Sequence, residues 1–243
     1  MNIRGVFFDL GGTLFSYRNV ARATLPLLVD AMGRLGIERD MAAVKDAYTQ
    51  AGKDANLHYS QQDYYLHSDF FGTTFRRFGE LLDAPIDDTL AGWYLEAHRV
   101  AIIDCLALKE DCIETLTHLK AADLYLSVVS NIDDDMLLPL VERESLQQFF
   151  HHYTSSEAAR SCKPHRGFFE HALELSGLNA EEVLFVGDSP EHDIAGAHAV
   201  GMQTALVSDG GMPPPLLVGR ETVAPDHTLD SLSDLIPLLT KPD

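Results

Sequence analysis

The sequence predicts an α/β fold, a doubly wound and mostly parallel sheet whose first strand is followed by a helical insert. Three observations predict it. Over residues 109–207, short apolar runs that end in glycine or polar residues alternate with segments of helical periodicity. Residues 17–103 carry helical periodicity with no convincing strand between the segments. The length, 243 residues, suits one large domain or a core with a smaller insert, and it suffices to bury a substantial core.

Residues 3–9 are a short apolar run closed by Gly11-Gly12, which predicts a buried strand entering a tight loop. The insert predicts helices over 21–35, 40–55, 63–78 and 87–102. A helix over 109–121 follows, then an apolar, β-branched strand over 124–130 that ends in Ser130-Asn131, then a helix over 133–143. A short strand is expected over 149–154, and a helix over 166–176 with Gly177 as its stop. Residues 182–186 read as a buried strand ending in Gly187-Asp188, residues 191–200 as a helix ended by Gly201, and 203–207 as another strand. Residues 208–225, rich in Gly and Pro, predict an irregular loop, and 229–239 a closing helix with Asp230 or Ser231 near its start. Residues 1–15 and 105–243 thus form the α/β core domain, and 16–104 the helical domain. In parallel sheets of this kind, ligands bind outside the carboxyl ends of the strands. That rule singles out Asp9, Ser130-Asn131 and Asp188, each of which ends or follows a strand.

Hydrophobic residues make up 46% and charged residues 23%, ordinary values for a globular chain, but the formal net charge is −19. So acidic a balance argues against nucleic acid and anionic membranes as partners, because phosphate backbones need clustered Lys and Arg. Small anionic substrates remain open, since a few local cations, backbone amides and a metal can hold them. Cys105, Cys112 and Cys162 are widely spaced and odd in number, so they read as reduced thiols rather than a disulfide framework or a zinc site. The apolar run at the N-terminus is too short for a signal peptide, and no apolar stretch reaches transmembrane length, so a cytoplasmic protein is expected.

Two carboxylates gathered at strand ends repel each other unless a cation lies between them. Hard oxygen ligands of this kind suit magnesium, usually completed by water and substrate phosphate. Asp9 and Asp188 are the obvious pair, and Asp193, five residues on, is placed to orient them. A carboxylate can also attack phosphorus to give an aspartyl phosphate, a step that needs charge neutralisation around the transferring group. Lys163, Ser130 and the amides around Gly11 and Gly12 are available for that.

These residues resemble a known family. Phe8-Asp9-Leu10-Gly11-Gly12-Thr13-Leu14 resembles the first motif of the haloacid dehalogenase superfamily, and Ser130-Asn131 its second. Lys163-Pro164, followed by Phe168 or Phe169, resembles its third, and the run from Gly187-Asp188 through Asp193 to Ala197 its fourth. Order and spacing agree, and the insert sits where this family carries its type-one helical cap. The resemblance implies a Rossmann-like core and a phosphatase-like hydrolase. Asp9 would be nucleophile and metal ligand, with the carbonyl of Gly11 and Asp188 as further magnesium ligands. Ser130 and Lys163 would hold the phosphoryl group, with Asn131, Gly11 and Gly12 beside it. Asp193 would support the metal through water or Asp188. The partner implied is a small phosphorylated substrate.

The chain departs from the pattern at one position. Phosphatases of this family usually carry a second Asp two residues after the nucleophile, which protonates the leaving oxygen and then activates water. Here that residue is Gly11. Acid–base catalysis of this kind contributes about 100- to 10,000-fold, or roughly 3 to 5 kcal/mol of barrier. Phosphatase activity is therefore expected to be slow, or restricted to good leaving groups such as acyl, anomeric or aryl phosphates. A rise in activity on alkyl phosphates with Gly11→Asp would show that the missing acid is what limits the reaction. His58, His67 and His98 of the insert are the candidates for a substitute acid. Two other readings stay open: a 2-haloacid dehalogenase-like hydrolase, whose departing halide needs no proton, and a non-catalytic member that binds metal and phosphate. The complete Asp188/Asp193 pair argues against the dehalogenase, because that branch lacks the magnesium-binding fourth motif.

Overall fold

The computed structural model describes residues 2–211 and 214–240. Residues 212 and 213 of the expected 208–225 loop lie outside them. The chain forms two compact units, one made of the chain up to Tyr17 together with the chain from Ala107 onward, the other of Arg18–Leu106.

In chain order the elements are β1 (Gly5–Phe8), β2 (Phe15–Ser16), α1 (Val20–Leu35), α2 (Met41–Tyr59), α3 (His67–Leu81), α4 (Asp88–Cys105), β3 (Ala107–Leu108), α5 (Cys112–Ala121), β4 (Tyr125–Ser130), α6 (Asp134–Arg143), β5 (His152–Ser155), α7 (Ser156–Ala159), α8 (Arg166–Ser176), β6 (Val183–Gly187), α9 (Ala195–Val200), β7 (Gln203–Val207), β8 (His227–Leu229) and α10 (Leu235–Leu239). The main sheet runs β5-β4-β1-β6-β7-β8, every pair parallel. β1 and β6 are buried at every residue, as strands covered on both faces must be, which is why their apolar runs do not alternate. Phe7, Val129, Phe168, Phe169, Val183 and Phe185 share one buried cluster, with Phe169 meeting Phe185 edge-on at 5.2 Å between ring centres.

β1 is central, and the chain order reverses beside it. β4 and β5 lie on one side, β6 to β8 on the other. Such a switch point is where an α/β sheet opens a crevice at its carboxyl rim. Gly177 and Gly201, in left-handed conformation, end α8 and α9 as expected.

The carboxyl-terminal expectation needs correcting. Residues 229–239 are not one helix. Leu229 pairs with Val207 as the end of β8, a 3-10 turn spans Leu232–Asp234, and α10 begins only at Leu235. The reason is sheet pairing: Asp226 accepts from the N–H and the hydroxyl of Thr204, at 2.8 and 3.0 Å, which aligns the edge strand. The expected 191–200 helix likewise starts with a π-helical turn, Pro190–Ile194, before α9.

The helical unit is built from α1 to α4. Asp40 and Asp87 cap α2 and α4 by accepting from Ala43 and Leu90 N–H, each at 2.8 Å. Its core includes Leu28, Val44, Phe78 and the stacked pair Phe75–Tyr94, 3.8 Å between ring centres. His98 packs on Phe71 and Tyr94, and burial pushes its pKa down to about 4. It is a neutral core ring at physiological pH. Cys112 and Cys162 are buried and Cys105 partly so, all three as free thiols. Among the described residues, no helix is long and apolar enough to cross a membrane.

Candidate active site

The site lies at the carboxyl ends of β1, β4 and β6. Asp9 leaves β1 with its N–H bonded to Val186 carbonyl at 2.9 Å. Ser130 ends β4, and its hydroxyl donates to Asp9 Oδ1 at 2.9 Å. Lys163 enters between α7 and α8 with only 4% of its surface exposed. Its ammonium reaches Asp9 Oδ1 at 2.5 Å and Asp193 Oδ1 at 2.6 Å. Asp193 Oδ2 accepts from the Ser189 N–H at 2.9 Å, which ties Lys163 to the loop after β6. Thr13, part of the first motif, donates to Asp9 Oδ2 at 3.4 Å.

Asp188 follows β6 and completes the group. One carboxylate oxygen from each of Asp9, Asp188 and Asp193 lies within 4.8 Å of the others. Three carboxylates face one ammonium, and the electrostatics record the excess. Burial, then Asp9 and Asp193, push the Asp188 pKa up to about 9. Burial also raises Asp9, against the pull of Lys163. For Lys163 burial works against the charge, but Asp193 and Asp9 outweigh it and its pKa is raised.

Two residues expected beside the phosphate make bonds within the protein. The Asn131 side chain donates to the Lys163 carbonyl at 3.1 Å and accepts from the Lys163 N–H at 2.7 Å. It therefore clamps the backbone that carries the lysine. The Gly12 N–H donates to the Phe15 carbonyl at 2.6 Å and closes the turn into β2 rather than facing a ligand.

The two glycines are explained by what lies over them. A Cβ on Gly12 would sit 2.0 Å from Asp188 Oδ2, and Gly12 has φ +81°. A Cβ on Gly11 would sit 2.2 Å from the Tyr17 hydroxyl. The expectation for Gly11→Asp therefore changes: a side chain there collides with the Tyr17 ring unless the ring leaves. Tyr17 was not singled out by the sequence, although Gly-Gly after a strand signals a close approach. Burial, then the carboxylates Asp9 and Asp188, raise its phenol pKa well above the usual value. Gly12→Ala is expected to lower stability by roughly 1–2 kcal/mol for the left-handed backbone alone and to displace Asp188. A thermal melt together with magnesium titration checks this; unchanged melting and binding would show the close approach to be dispensable.

A family model described as haloacid dehalogenase-like hydrolase matches residues 3–201. The chain is 28% identical to the (S)-2-haloacid dehalogenase 4A of Burkholderia cepacia, over 99% of this chain and 96% of that one. It is 28% identical to the ribulose-1,5-bisphosphate 5-phosphatase of Halopiger xanaduensis, over 97% of this chain and 98% of that one. Among solved structures, the HAD-hydrolase YfnB of Bacillus subtilis, described as bound to magnesium, superposes with a TM-score of 0.76 at 20% identity, covering 98% of this chain and 99% of that one. The family match extends across β1, β4, Lys163 and the Asp188–Asp193 loop, and the chain belongs to the haloacid dehalogenase-like hydrolase family.

Proposed function

We propose that the protein is a magnesium-dependent phosphohydrolase that acts on a small phosphorylated metabolite through an aspartyl phosphate on Asp9. The observation that carries this reading is the carboxylate group itself: Asp9, Asp188 and Asp193 bring oxygens within 4.8 Å of one another, and two of them, Asp9 and Asp193, pair with buried Lys163. A divalent cation fits that group, because three hard oxygen donors converge there and Lys163 pairs with only two of them. Asp9 and Asp188 would hold the ion, with the Gly11 carbonyl that the family resemblance adds. Asp193 is occupied by Lys163 and Ser189 and would orient the others. When bound, magnesium supplies charge neutralisation for the phosphoryl oxygens.

The chain's own residues would do the rest. An Asp9 carboxylate oxygen attacks phosphorus, the phosphorus–oxygen ester bond breaks, and the leaving oxygen takes the bonding pair. Water then cleaves the acyl phosphate, releasing inorganic phosphate and restoring the carboxylate. Ser130 and Lys163, both on Asp9 Oδ1, are within reach of whatever is transferred to it. The acidic surface and free thiols accord with a cytoplasmic setting.

A second reading, halide release from a 2-haloacid, draws on the Burkholderia relative and on glycine at position 11. A panel of 4-nitrophenyl phosphate, acetyl phosphate, sugar phosphates and 2-chloropropionate, with magnesium or with EDTA, separates the two. Phosphate release that requires magnesium is expected. Metal-independent chloride release would put the dehalogenase in its place. Stabilisation by magnesium and phosphate without any turnover would leave a binding protein.

Asp188 supplies an independent test. Its folded pKa, about 9, lies above the unfolded carboxylate value near 4. The stability it contributes is therefore full below about pH 4 and is lost as pH rises toward 9. Metal-free wild type should lose stability relative to Asp188→Asn between pH 5 and 9, with a slope of at most about 1.4 kcal/mol per pH unit. Magnesium should raise the wild-type melting temperature more at pH 8 than at pH 5. Parallel pH profiles for the two proteins would remove the charge argument.

A further inference from the structure

Attack by Asp9 leaves negative charge on the departing oxygen, and glycine at position 11 offers nothing to meet it. The side-chain donors that meet Asp9 are already committed. Thr13 and Ser130 hydroxyls point at Asp9, and the Lys163 ammonium at Asp9 and Asp193. The Tyr17 hydroxyl differs. Among the described residues it makes no hydrogen bond, and it stands where the side chain of residue 11 would begin, 2.2 Å from an ideal Cβ there. Its ring runs on over Gly12, with Cε2 3.0 Å from the ideal Cβ of that residue. The backbone that carries the ring is held. Asp209, buried, accepts from the Tyr17 N–H at 2.9 Å and from the Ser16 hydroxyl at 3.3 Å, and Lys109 lies 3.8 Å from its other oxygen. Ser16 is further fixed by pairing of β2 with β3. A phenol on an anchored backbone thus fills volume that two glycines leave open, with its hydroxyl unpaired among the described residues.

We propose that Tyr17 donates a hydrogen bond to the departing oxygen of the substrate, in place of a side chain at residue 11. The proposal rests on the phosphohydrolase reading. As the phosphorus–oxygen bond breaks, the leaving oxygen keeps the electron pair and Tyr17 keeps its proton. Water protonates the oxygen, and the hydroxide so formed hydrolyses the acyl phosphate on Asp9. A donor already aimed at developing charge strengthens in the transition state. Its benefit grows with the basicity of the leaving group. Residue 11 and Tyr17 are alternatives: a side chain at one requires the ring of the other to move.

The test compares kcat for glycerol 3-phosphate, 4-nitrophenyl phosphate and acetyl phosphate in wild type and Tyr17→Phe, which keeps the ring and removes the hydroxyl. The expected result is a loss of roughly 100-fold on glycerol 3-phosphate and little change on acetyl phosphate. The double variant Gly11→Asp/Tyr17→Ala, in which the new carboxyl has room, should hydrolyse glycerol 3-phosphate faster than either single variant. Equal slowing of all three substrates by Tyr17→Phe would mean a structural role and overturn the inference while leaving the phosphohydrolase reading intact. Wild type that releases phosphate from none of the three overturns that reading, and this inference with it.

Discussion

Asp9→Asn should abolish phosphate release, with a loss on the order of 10⁴-fold or more, the scale seen when an enzyme loses its nucleophile. The amide is nearly isosteric, so the fold should persist. The sign of the stability change is the sharper expectation. Removing the Asp9 charge removes one of the two carboxylates that raise Asp188. Lys163 keeps Asp193 as a partner at 2.6 Å. In the absence of divalent ions, Asp9→Asn should therefore melt at or above the wild-type temperature at pH 8, and magnesium should stabilise it less than it stabilises wild type. Inactive but more stable is the signature of a functional charge held at a structural cost. Retained turnover with 4-nitrophenyl phosphate would exclude Asp9 as nucleophile. An inactive variant that also melts well below wild type would show that Asp9 is needed for folding, and the inactivity would then say nothing of chemistry.

What could be read from the sequence divides along physical lines. β1 and β6 were legible because strands buried on both faces need uninterrupted apolar residues, β4 and β7 because short apolar, β-branched runs follow helices, and α1 to α4 because each buries one stripe. β8 was not, because three residues, His227, Thr228 and Leu229, carry no period; their pairing depends on Asp226 meeting Thr204 from 22 residues away. The site shows the same division. The strand-end rule and the motifs named Asp9, Ser130, Lys163, Asp188 and Asp193 as residues to watch. The contacts between them were beyond it. Nothing in the order of residues says that the Asn131 side chain would be spent on the Lys163 backbone. Tyr17 is the clearest case. Its position is set by Asp209, 192 residues away, and by the absence of two Cβ atoms, so only coordinates could place its hydroxyl. The glycine that looked like a simple loss is the other half of a packing arrangement.

Lys163→Met should be the most destabilising of these substitutions. Asp9 and Asp193 are 6% and 1% exposed, and the ammonium at 2.5 and 2.6 Å is what offsets their charge. Breaking a buried ion pair by removing one partner costs about 3–5 kcal/mol, because the remaining charge stays buried. For a chain of this size that is roughly a 10 °C drop in melting temperature. Methionine fills most of the volume, so a cavity contributes little and the loss should be electrostatic. It follows that the deficit must depend on pH. Without the lysine, the burial that already raises the Asp9 pKa is no longer opposed by a neighbouring cation. The stability Asp9 contributes is then complete below about pH 4 and falls as pH rises. The gap to wild type should thus be small at pH 5 and wide at pH 8, and saturating magnesium should narrow it, since a second cation enters the same group. Lys163→Arg should not restore the protein. A guanidinium is broader than an ammonium, and the slot between the two carboxylates admits a single small donor centre. Activity should fall by on the order of 10² to 10³ in either variant, as for loss of one preorganised charge donor. If Lys163→Met melts with wild type at pH 8 in EDTA, the lysine is not what offsets the charge of Asp9 and Asp193, and the balance of charge proposed for this site is wrong.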